Sequence, residues 1–110
     1  AVLHHLREDA DWEFVFKKLY DSLTIGGCLM ISDLIIQDHK GVNEMIWGSY
    51  GDYLKQHGGA EYQQKVFDYI EKEDSPRSMV YQLDLMKKIG FSTVDVLHKN
   101  SCFSVFGGIK

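Results

Sequence analysis

Residues 10–36 restrict the fold more than any other part of the chain. Trp12, Val15, Phe16, Leu19 and Leu23 recur at helical spacing on one face, with Asp9 placed to cap the helix. Gly26-Gly27 supply the left-handed or tight conformations of a turn. The run Cys28-Leu29-Met30-Ile31-Ser32-Asp33-Leu34-Ile35-Ile36 follows, apolar on both faces except at Ser32 and Asp33. Such a strand belongs to a sheet covered on both sides, as in α/β proteins. With residues 1–5 read as the end of an earlier strand, the order is that of a βαβ unit. Asp33 stands out. A carboxylate in a buried run costs heavily unless it is paired or lies at the strand's open end, which in a parallel sheet is where ligands bind.

The rest of the chain alternates in the same manner. Residues 42–57 carry Met45, Ile46, Tyr50, Tyr53 and Leu54 at helical spacing beside Trp47, weakened by Gly48 and Gly51. His57-Gly58-Gly59 ends this segment. A second helix, 60–73, places Tyr62, Val66, Tyr69 and Ile70 on one side. Ser75 and Pro76 have the chemistry of an N-cap and a first helical residue, opening a helix to Ile89 that packs Met79, Val80, Leu83 and Met86. Gly90 stops it. Strands over 91–98 and 102–109 meet at an Asn100-Ser101 turn.

At 110 residues and 45% hydrophobic composition, the chain holds one domain with a real core. A net charge of -4 with scattered Lys and Arg gives no basic stripe for nucleic acid. Cys28 and Cys102 lack metal-ligand spacing and read as unpaired core thiols of a cytoplasmic protein. No apolar run has the length of a membrane span. His4 and His5, as neighbours on a strand, would point to opposite faces and would not chelate one ion, so no metal is expected.

Three local patterns resemble the C-terminal half of a class I S-adenosylmethionine-dependent methyltransferase. Ala1-Val2-Leu3-His4-His5-Leu6 is similar to the end of that family's fourth strand. Leu23-Thr24-Ile25-Gly26-Gly27-Cys28-Leu29 is similar to the turn before its fifth strand, with Ile25 in place of the usual proline. Gln82 to Phe91, Q-L-D-L-M-K-K-I-G-F, is similar to the helix before its sixth strand. In this order they span nearly the whole chain.

The resemblance implies an α/β fold: a partial Rossmann-like methyltransferase sheet of the last four strands, the final one antiparallel, with the N-terminal half absent. It implies one partial domain, 1–110, in which 42–74 is a helical cover over the substrate. No G-x-G-x-x-G loop occurs here; the resemblance places that loop and the acidic ribose contact before residue 1. S-adenosylmethionine is the implied cofactor, with Ala1, Val2, Leu3 and His4 along it and His5, Asp33, Trp47 and Tyr50 toward the methyl acceptor. The catalytic group stays unassigned, since methyl transfer rests on proximity and desolvation rather than on a fixed acid–base pair. The acceptor is a small molecule or tRNA, because the helical cover and terminal hairpin resemble those of small-molecule methyltransferases and of enzymes that act with a SAM-derived cofactor on the tRNA wobble uridine. Residues 1–5 would form an open sheet edge through which the isolated chain self-associates. The rival reading is a non-enzymatic α/β interaction module assembling through that edge.

Overall fold

The computed structural model describes residues 2–110; Ala1, expected along the cofactor, lies outside them. A 3-10 turn, Leu3–His5, leads into α1 (Asp9–Ser22), β1 (Cys28–Leu34), α2 (Lys40–Glu73), α3 (Met79–Ile89), β2 (Thr93–Asn100) and β3 (Phe103–Ile109). The sheet has the order β1-β3-β2. β3 pairs antiparallel with both neighbours, so β1 and β2 run in the same direction and only the last strand is reversed. The β1–β3 register sets Asp33 opposite Ser104 and Met30 opposite Gly107.

One strand fewer forms than the sequence suggested. Residues 3–5 close a 3-10 turn, with the Leu6 amide donating to the Leu3 carbonyl at 3.0 Å, because no strand among the described residues offers them a ladder partner. Among the described residues the sheet's edges are therefore β1 and β2, and residues 2–5 do not supply the edge expected for self-association.

The core lies between one face of the sheet and α1 and α3. Trp12 and Phe16 of α1, Leu85 and Met86 of α3, and Ile31, Phe91 and Phe106 are buried together with Leu3 and Ile35. The opposite sheet face is bare: Met30 is 67% and Leu97 55% exposed, and a shallow apolar groove of about 370 Å³ runs between them beside Gly107. β1 is thus covered on one side, not two, and Cys28, on its outer face, is exposed where a core thiol was expected. Cys102 is buried at the hairpin turn, and both thiols are free.

α3 starts three residues later than its sequence suggested. Ser75 is engaged elsewhere, its amide donating to the His4 carbonyl and its hydroxyl accepting from Arg7. Ser78 becomes the N-cap, its Oγ accepting from the Tyr81 amide at 3.0 Å. Met86 is buried and Met79 and Leu83 pack against the core, as their spacing predicts. Val80 is exposed, and Gln82 and Leu85 take the buried positions, Gln82 Nε2 donating to the Arg77 carbonyl.

α2 is two helical arms folded at Gly59, whose φ of 82° only glycine adopts readily. The arms close through Trp47, Tyr50 and Phe67, and at Gly51 a Cβ would stand 3.0 Å from the Phe67 ring. The molecule is elongated, with a long axis of 48 Å. The radius of gyration, 15.2 Å, exceeds the roughly 13 Å of a compact chain this size.

Candidate functional site

At the carboxyl end of β1, the Leu3–His5 turn, the end of α2 and the segment before α3 converge. Asp33 is buried at 4% exposure. Its Oδ2 accepts from the His4 amide at 3.2 Å, and its Oδ1 accepts from the Leu34 amide at 2.8 Å and contacts His4 Nδ1. The partner that a buried carboxylate requires is His4. Holding Nδ1 fixes the ring and turns Nε2 outward.

That Nε2 lies 3.7 Å from Asp74 Oδ1, and His5 Nδ1 lies 2.8 Å from the same oxygen. The His5 contact is close but not aligned as a hydrogen bond. Asp74 Oδ1 is buried without a hydrogen-bond donor, although its side chain is only 4% exposed. The two imidazole rings stand 4.3 Å apart, centre to centre. The 3-10 turn groups side chains that strand alternation would have separated, so the divergence expected of the histidine pair does not occur.

Arg7 braces the opposite wall. Its guanidinium donates to the carbonyls of Lys72 and Asp74 and to Ser75 Oγ, gripping the backbone on either side of Asp74 and leaving the carboxylate free. Arg77 ties α1 to this segment through Asp9 and the Arg7 carbonyl.

The remaining residues singled out in the sequence lie elsewhere. Leu3 packs its side chain into the core, and Val2 is exposed. Trp47 and Tyr50 meet edge to face, 6.0 Å apart, but open onto different clefts. Tyr50 lines one of about 590 Å³ with Tyr53, Leu54, Tyr62 and Phe103. Trp47 lies with Phe67 and Ile70 on the far side of the hairpin. Burial raises the Tyr50 phenol above its ordinary pKa, with neighbouring Cys102 adding to the effect. Tyr50 therefore enters any chemistry in that cleft as a neutral hydroxyl. Asp74 and Arg7 were not read from the sequence. Asp74 directly precedes the Ser75-Pro76 boundary, and no local pattern announces a contact with a histidine about seventy positions earlier.

No family model matches the chain. Curated relatives do. The carboxy-S-adenosyl-L-methionine synthase of Nautilia profundicola is 29% identical over 99 residues, covering 89% of this chain and 42% of the relative. That of Desulfotalea psychrophila is 30% identical over 99 residues, covering 89% and 40%. The Helicobacter hepaticus protein of the same name is 28% identical over 86 residues, covering 77% and 36%. The chain is a distant homologue of part of carboxy-S-adenosyl-L-methionine synthase. It spans about two fifths of the length of these relatives. Among the described residues, no helix is long and apolar enough to cross a membrane.

Proposed function

We propose that this chain forms part of an enzyme that binds S-adenosylmethionine or a close derivative and transfers a group to or from it. The observation that carries this reading is the similarity, over 89% of the chain, to proteins named for making carboxy-S-adenosyl-L-methionine. The buried Asp33–His4 pair at the carboxyl end of β1 supports it, since that rim is where α/β sheets take their ligands. In this reading Val2 to His4 wall the cofactor, His5 and Asp33 border the reacting end, and the arm bearing Trp47 and Tyr50 covers the acceptor. Methyl transfer to a small molecule or tRNA is the first form of the activity. The relatives' name favours a second, in which S-adenosylmethionine is itself the molecule modified.

The chain's own residues orient the ligand and exclude water. Asp33 fixes the His4 ring, Arg7 fixes the backbone around Asp74, and the α2 aromatics offer an apolar cover. The test is a chimera in which this chain replaces its matched segment in the Desulfotalea psychrophila relative. Calorimetry with S-adenosylmethionine should show binding by a folded chimera and only weak binding by the 110-residue chain alone. A folded chimera that has lost binding, beside a parent that binds, would refute the reading.

A further inference from the structure

We propose that His4, His5 and Asp74 form a binding site for one divalent first-row transition-metal ion. The donors are His4 Nε2, His5 Nδ1 and Asp74 Oδ1, all within 4.8 Å of one another. Bonds of about 2.0–2.2 Å in a tetrahedral arrangement place ligand atoms roughly 3.4 Å apart. The present separations from Asp74 Oδ1, 2.8 Å to His5 and 3.7 Å to His4, bracket that value. The His4–His5 separation lies within 4.8 Å, so the donors must draw together for one ion to meet all three.

Three further observations point to an ion rather than to an ion-pair network. Asp74 Oδ1 is buried with no hydrogen-bond donor, an arrangement that is costly unless something positive sits against it. Arg7, the cation nearest in the fold, is committed to backbone carbonyls and Ser75 Oγ and does not neutralise the carboxylate. His4 is already held by Asp33 through its other nitrogen, the arrangement by which proteins orient a metal-bound imidazole and raise its basicity. His5, 46% exposed, holds Nδ1 2.8 Å from Asp74 Oδ1 and 3.3 Å from the Glu73 carbonyl; an ion would replace that carbonyl contact, with the ring proton moved to the outward Nε2. Two imidazoles and one carboxylate suit zinc, iron(II), nickel or copper rather than calcium or magnesium. Three protein ligands leave a coordination position open toward solvent. The site shares His4 and His5 with the proposed ligand rim, but its test reads metal binding directly and does not require activity.

The full chain is titrated with cobalt(II) chloride and followed by visible absorption, with zinc(II) competition measured by calorimetry. The expected result is one ion per chain at micromolar affinity or tighter, with ligand-field bands of a four- or five-coordinate site. Asp74→Asn and His5→Ala should each weaken binding by on the order of tenfold or more, and Asp33→Asn by about 10–100-fold through loss of His4 orientation. His39→Ala and His98→Ala, remote from the cluster, should leave it unchanged. If Asp74→Asn does not fold, His5→Ala decides, since His5 is half-exposed and outside the core. Absence of saturable binding by the parent chain would overturn the proposal. So would binding that survives both Asp74→Asn and His5→Ala, or that is lost with His39 or His98.

Discussion

Replacing Asp33 by alanine tests the centre of this site. The substitution removes the acceptor for the Leu34 amide at 2.8 Å and for the His4 amide at 3.2 Å, and frees the His4 ring. A hydrogen bond to a charged group contributes about 1.5–3 kcal/mol, but the three share one carboxylate and do not add. Deleting one member of a buried pair costs about 3–5 kcal/mol, and that range is the expected loss. Against a total of about 5–15 kcal/mol for a small domain, it is a large fraction. With a urea slope of about 2 kcal/mol per molar, the midpoint should fall by about 2 M. Asp33→Asn keeps one amide oxygen for the backbone and should lose roughly half as much. Urea unfolding at neutral pH, followed by circular dichroism, gives all three curves. A loss below about 1 kcal/mol for Asp33→Ala would mean that Asp33 is solvated and that the pairing with His4 does not hold the turn in place.

Further outcomes follow from named contacts. Cys28 should react at once with a disulfide reagent and Cys102 only on unfolding, because burial pushes the Cys102 thiol up to about 11. The stability tied to that neutral thiol is complete below pH 9, where the unfolded thiol is also protonated. It declines as pH rises from 9 toward about 11, so Cys102→Ala should show a flatter alkaline unfolding profile in that window. Gly48→Ala, where an added Cβ meets nothing within 4 Å, should stabilise the chain by up to about 1 kcal/mol in thermal unfolding. Gly107→Ala puts a Cβ 2.1 Å from the Leu29 carbonyl oxygen and should destabilise by at least about 1–3 kcal/mol; the opposite order of the two melting temperatures would contradict the strand spacing described.

The helices and their C-terminal ends were largely legible, their starts less so: Glu8 rather than Asp9 caps α1, and Ser78 rather than Ser75 caps α3. The face of α1 shows in the spacing of Trp12 and Phe16, the break in α2 in Gly58-Gly59, and the end of α3 in Gly90. The need of Asp33 for a partner could also be read, because a lone carboxylate in an apolar run has few alternatives. Its partner could not. Residues 2–5 have strand-like composition, and only the absence of a ladder beside them among the described residues turns them into a 3-10 turn that aims His4 at Asp33. Asp74 joins through loop closure over about seventy positions, a relation that no local pattern records. Cys28 and Val80 are apolar residues left on outer faces, and local composition does not say which face of an element the rest of the chain will cover.

Gly107 therefore has an influence far beyond its own position. A strand has a period of two, so a slip of one residue between β1 and β3 would exchange the two faces of β1. Asp33 would swing to the bare side and leave His4 with no carboxylate to hold it. Against one direction of that slip stands a misfit: the gap beside the Leu29 carbonyl admits hydrogen and no carbon, and Phe106, the residue before Gly107, would have to enter it. The alignment of the histidine–carboxylate pair is thus recorded partly in a glycine of β3 with no polar side chain, opposite Met30. In a mutational scan scored on the site's chemistry, Gly107 would group with the histidines rather than with the core.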